Sequence, residues 1–127
     1  MKRRVAVYAR HGRLFVSSWA ATDGQYPAYV QGGWIEAADE PVPDADLGDL
    51  VRVGLANFKS GVPYPNFREG LTPEARRFLD VTKTKSFAAF ARGTREVDVK
   101  SDDAAPDLEI TPYRKRAVTV SSRCSVR

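Results

Sequence analysis

Few side chains in this chain of 127 residues could run a reaction. There is one histidine, His11, and one cysteine, Cys124. A hydrolase, transferase or metal enzyme needs a nucleophile with its base, paired carboxylates in a pocket, or several ligands at metal spacing. His11 stands beside Gly12 in what reads as a solvated turn. Cys124 lies between Arg123 and Arg127, which can depress a thiol pKa, yet near the end of a basic stretch it reads as a bystander. No phosphate-binding glycine loop, dinucleotide fingerprint or nucleophile elbow occurs. The expectation is a chain without catalytic, metal-ligating or cofactor-binding residues, whose work is to bind another macromolecule. A pair of carboxylates brought together by the fold is the enzymatic arrangement left open.

Charge is the more informative chemistry. The net charge is +4, but it is unevenly laid down. Lys2, Arg3, Arg4, Arg10 and Arg13 come without an acid among them, and Arg114, Lys115, Arg116, Arg123 and Arg127 do the same at the other end. Residues 14–51 hold Asp23, Glu36, Asp39, Glu40, Asp44, Asp46 and Asp49 and no Lys or Arg. The bland reading of these acids is a solvated loop and a helix N-terminus, where Asp44, Asp46 and Asp49 cap the helix and complement its dipole. The sharper reading notes Tyr26, Tyr29 and Trp34 close by in sequence. Aromatics at the centre with charges on the rim suit an interface for a basic partner. Tyr26, Trp34, Glu36, Asp39, Glu40, Asp44 and Asp46 are the candidate contact residues. The basic ends could instead be a nucleic-acid footprint, or merely guard edge strands and keep a tail soluble.

The elements that must position these residues follow from periodicity. Val5, Val7 and Ala9, then Leu14 to Val16 after His11-Gly12, read as a hairpin. Tyr26 to Glu36 reads as a third strand, or two short ones, with Gly32 and Gly33 marking a bulge or a close backbone approach. After the two prolines of 41–43, Asp46 is the expected N-cap of an amphipathic helix whose stripe is Leu47, Leu50, Val51, Gly54, Leu55 and Phe58, with Gly61 as its stop. Thr72-Pro73-Glu74 opens a second helix with Phe78 and Leu79 inward. Thr84 is the expected cap of a third, burying Phe87 and Phe90 and ending at Gly93. Alternation over 95–100 sets Val97 and Val99 against Glu96 and Asp98, a half-buried strand; residues 101–107 read as a polar loop. Leu108 to Pro112 and Ala117 to Val120 are the last two strands.

Length and an apolar fraction of 43% bound the chain to one globular domain over 1–127, with a basic, mobile tail from about residue 121. Strands, then helices, then strands, without βαβ repeats, predict an α+β domain. Its sheet should be twisted, mainly antiparallel and of about five to six strands, with two to three helices packed on one face. There is no apolar run long enough to cross a bilayer, no signal-peptide pattern and no cysteine pair, which predicts a protein of a reducing bacterial cytoplasm with no membrane partner.

The Leu47-Gly48-Asp49-Leu50 helix start, the segment Lys83 to Phe90 feeding Arg95 to Val99, and the closing strand Leu108 to Tyr113 follow one another in an order and spacing covering about residues 14–116. In these features the chain resembles the immunity proteins of bacterial contact-dependent growth inhibition systems, the CdiI family. The resemblance implies a non-enzymatic cytoplasmic protein that binds the C-terminal domain of a toxin delivered by a neighbouring cell, often a DNase or tRNase. The complex would be one-to-one and would block the active site or substrate groove, with no direct contact to nucleic acid. Because each member recognises its own toxin, no contact position carries over. The alternative is a small nucleic-acid-binding or regulatory domain using the basic end strands.

Overall fold

The first pairing is decided by a two-residue turn. His11 and Gly12 both have positive φ, 48° and 75°, the left-handed pair of a type I′ turn, whose twist matches that of the strands it joins. In the computed structural model, which describes residues 2–101 and the strand backbone of 108–112 and 118–120, this turn joins β1 (Arg3–Arg10) to β2 (Arg13–Thr22). β3 (Tyr29–Asp39) returns along β2, and the register shifts between Ser17 and Trp19, near the expected irregularity at Gly32.

α1 (Asp44–Ala56) starts two residues before the expected cap. Pro43 is the N-cap: its carbonyl accepts from Leu47 N at 3.0 Å, and its missing N–H is of no consequence outside the helix. Asp46 therefore does not cap; with Asp44 it occupies the first turn, where the helix dipole favours anions. Leu47, Val51 and Leu55 are buried against Val5, Val16 and Val99. Gly54 lets the helix close on the sheet: a Cβ there would stand 2.6 Å from Val5 Cγ2 and 3.1 Å from the Trp34 ring.

The chain then forms β4 (Lys59–Val62), parallel to the second half of β2 beyond the last β1 pairing. No strand was expected here, because four largely exposed residues around Gly61 carry little strand propensity; the free flank of β2 supplies the reason. α2 (Pro73–Thr82) begins as expected, with Thr72 Oγ1 accepting from Ala75 N at 3.1 Å and proline at the first position. α3 (Phe87–Ala91) is capped by Ser86, which accepts from Ala89 N at 3.1 Å, rather than by Thr84. Thr84 instead shares a 2.9 Å hydrogen bond with Thr82. Phe90 is buried, but Phe87 keeps 37% of its surface exposed.

β5 (Arg95–Ser101), β6 (Leu108–Pro112) and β7 (Val118–Val120) complete, among the described residues, an open sheet of seven strands, one more than the expected five to six because of β4, in the order β3-β2-β1-β5-β6-β7 with β4 beside β2. The fold is α+β and, β4 apart, antiparallel. The expected single helical layer is corrected. α1 covers the face of Val5, Val16 and Val99, whereas α2 and α3 cover the opposite face, that of Ala6, Tyr8, Phe15 and Ile35. β1 and β2 are apolar on both sides, so each face needed its own helix. The polar loop, the basic tail and Cys124 lie outside the described residues.

Candidate functional site

Two surfaces can do chemistry, at different places on the sheet. The first is the acidic corner. Glu36 stands exposed on the edge strand β3, and Asp39, at the end of that strand, lies opposite Arg13 with Oδ1 at 3.3 Å from Nε. Glu40 is tied through its backbone N–H to Gly12 O at 2.9 Å, and Asp44 and Asp46 are exposed in the first turn of α1. The fold thus keeps five of the predicted contact residues around one end of the sheet. It sets Tyr26 apart from them and partly buries Trp34, which stays two residues from Glu36 on the same strand. Tyr26, 81% exposed, precedes the Tyr29 end of β3, which lies roughly 33 Å from its Asp39 end at about 3.3 Å per residue. Trp34 is half-buried against the α1 core.

The second surface was not anticipated. Alternation along β1 sends Arg4, Ala6 and Tyr8 to the face of α2 and α3, and the register with β5 sets Glu96 beside Tyr8 and Asp98 beside Ala6. Arg4 Nη2 donates to Asp98 Oδ2 at 2.6 Å, both side chains being less than one-fifth exposed. The same guanidinium lies over the rings of Trp19, at 4.5 Å, and Tyr29, at 4.8 Å. Next to this clamp is a cavity of about 230 Å³ lined by Tyr8, Trp19, Gln31, Phe87, Phe90 and Glu96. A more apolar hollow of about 420 Å³ adjoins it, sharing Trp19, Gln31 and Phe87 and reaching Tyr29 and Leu71.

Several polar groups of this surface are buried with little compensation. Trp19 Nε1, Asp98 Oδ1 and Arg4 Nε are buried without hydrogen-bond partners. Burial first, and then the charge of Asp98, push the Glu96 carboxyl above the usual range, against the opposing pull of Arg4. Burial, then Glu96 and Asp98, push the Tyr8 hydroxyl far up, so it stays a neutral donor. Sequence reading missed this site because Glu96 and Asp98 alternate with Val97 and Val99 like the wet side of a half-buried strand. The available signal was aromatic: Phe78, Phe87 and Phe90 need a second face to cover.

Among the described residues no group of three or more His, Cys, Asp or Glu converges as a metal site, and no helix is long and apolar enough to cross a membrane. No protein-family model matches the chain, and no curated protein matches it either. Solved structures do. A protein of unknown function from Neisseria meningitidis superposes with a TM-score of 0.69 at 16% identity, over 98% of this chain and 87% of that one. A chain of the CdiA-CT/CdiI toxin and immunity complex from Yersinia pseudotuberculosis superposes with a TM-score of 0.64 at 16% identity, over 98% of this chain and 89% of its own. At such identity the likeness is one of fold.

Proposed function

We propose that this chain is an immunity protein of a contact-dependent growth inhibition system, a cytoplasmic protein that binds one copy of its cognate C-terminal toxin domain and silences it. The observation that carries the reading is the likeness to a chain of the Yersinia toxin and immunity complex, which extends over 98% of this chain and 89% of the other. The charge pattern supports a nuclease as the toxin. A surface that cleaves nucleic acid is basic, and Glu36, Asp39, Glu40, Asp44 and Asp46 form an exposed acidic corner able to steer and oppose it. In this reading the acids set the rate of encounter, while Trp34 serves the core and not the contact.

The alternative, nucleic-acid binding by the basic end strands, is weakened at the N-terminal end by what three of its cations already do, the C-terminal cations lying outside the described residues. Arg4 is clamped by Asp98, Arg13 faces Asp39, and Arg10 donates to the carbonyls of Phe90 and Arg92. The test is to mix the chain with the C-terminal domain of the large secreted protein encoded immediately upstream. A one-to-one complex by gel filtration, with loss of nuclease activity, is the expected result. Absence of a complex at micromolar concentration would sink the proposal.

A further inference from the structure

We propose that the cavity between α3 and β5 receives an arginine side chain from the protein partner, an inference that rests on the reading that this chain binds a protein. At about 230 Å³ the cavity falls below the range of roughly 300–1,000 Å³ typical of small-molecule sites, but it has room for one long side chain. Its walls select the chemistry. Trp19, Tyr8, Phe87 and Phe90 line it with aromatic rings, whose faces attract cations, and Glu96 supplies a carboxylate.

Charge balance argues in the same direction. Arg4 is taken by Asp98, and Arg10, near the Phe90 ring, is engaged by the carbonyls of Phe90 and Arg92. Among the described residues no cation forms an ion pair with Glu96. An anionic partner group would meet the Glu96 carboxylate in the cavity wall. Glu96 already has the Tyr8 hydroxyl as a neutral hydrogen-bond partner, so an apolar group would desolvate it further without adding a counter-charge, whereas a basic side chain supplies one. Arginine is favoured over lysine because a planar, weakly hydrated guanidinium can stack on a ring while donating to carboxylates. Arg4 makes this arrangement next door, stacked on Trp19 and Tyr29 and bound to Asp98. Half-exposed Leu71 and the exposed edge of Phe87 line the adjoining hollow, which suits an apolar neighbour of that arginine.

The probe is Nα-acetyl-arginine amide, titrated into the ¹⁵N-labelled full chain. The readout is the indole N–H of Trp19, identified by its loss in Trp19→Phe. A saturable shift is expected, about tenfold weaker with the uncharged citrulline analogue and about tenfold weaker in Glu96→Gln. Equal responses to both probes, no response at tens of millimolar, or an unchanged Glu96→Gln would overturn the inference. The toxin domain gives a second arm: Glu96→Gln and Phe87→Ala, each checked for an unchanged fold by circular dichroism, should lower its affinity about tenfold or more. A wild-type complex that both variants leave untouched overturns the arginine site and spares the immunity reading. A missing wild-type complex overturns the immunity reading, and the arginine titration then decides the cavity alone.

Discussion

The two faces of the sheet are built from different materials. Under α1 the buried side chains are aliphatic, with Val5, Val16, Val51 and Val99 at most 1% exposed, and a glycine draws the helix down onto them. Under α2 and α3 the contacts are aromatic. Phe78 meets Tyr8 and Phe90 edge-on at 5.5 Å and 4.9 Å, and the packing stops short of Glu96, leaving a cavity and buried polar atoms without partners. Branched aliphatic residues fill space without polar atoms and seal a face. Rings packed edge to edge leave gaps at their margins, and here the margins are charged. The first face supplies stability; the second supplies stability at its centre and, in the proposed complex, recognition at its rim.

That division can be broken from either side. The largest expected effect is Phe78→Ala, which removes the centre of the aromatic face and should lower stability by about 3–5 kcal/mol in urea denaturation. Gly54→Ala attacks the sealed face. The new methyl has nowhere to go, and a loss of about 1–3 kcal/mol is expected, with toxin affinity per folded molecule unchanged. A loss of affinity there would mean that α1, not the aromatic rim, carries the contact.

Reversing Glu36, Asp39 and Glu40 together should slow association about tenfold at low salt and change dissociation little, as read by stopped-flow kinetics across ionic strength. An effect confined to dissociation would move those acids from the rim into the buried contact. The smallest effect concerns pH. Because Glu96 is raised above its ordinary 4.5 in the folded protein, the folded state holds a proton that the unfolded chain releases first. Its contribution is favourable at low pH and is lost as pH rises from 4.5 through the folded value. Glu96→Gln should therefore gain stability relative to wild type over that rise, by a modest amount because the group is half-buried.

Several elements were legible because their signals are local. The His11-Gly12 turn, the Thr72-Pro73 helix entry and the two-residue alternation of β5 each depend on a few neighbouring residues, and each is where the spacing puts it. The α1 start was misjudged by three residues because Pro43, and not Asp46, is the N-cap, with no side-chain cap bond. β4 was missed because its pairing comes from β2, some forty residues earlier in the chain. The acids of the corner were legible as a group since they are contiguous in sequence. The Arg4–Asp98 clamp was not, because its members are 94 residues apart.

The sequence by itself determined the class of fold, the hairpin, the entry of α2 and the acidic third of a basic chain. These follow from backbone preferences and spacing, which act within a few residues. Only the tertiary structure decided that helices cover both faces, that Trp34 packs partly buried against the core under α1, and that half-buried Glu96 lines an aromatic cavity. Those outcomes depend on which distant strand lies alongside, and so on burial, which no local pattern encodes.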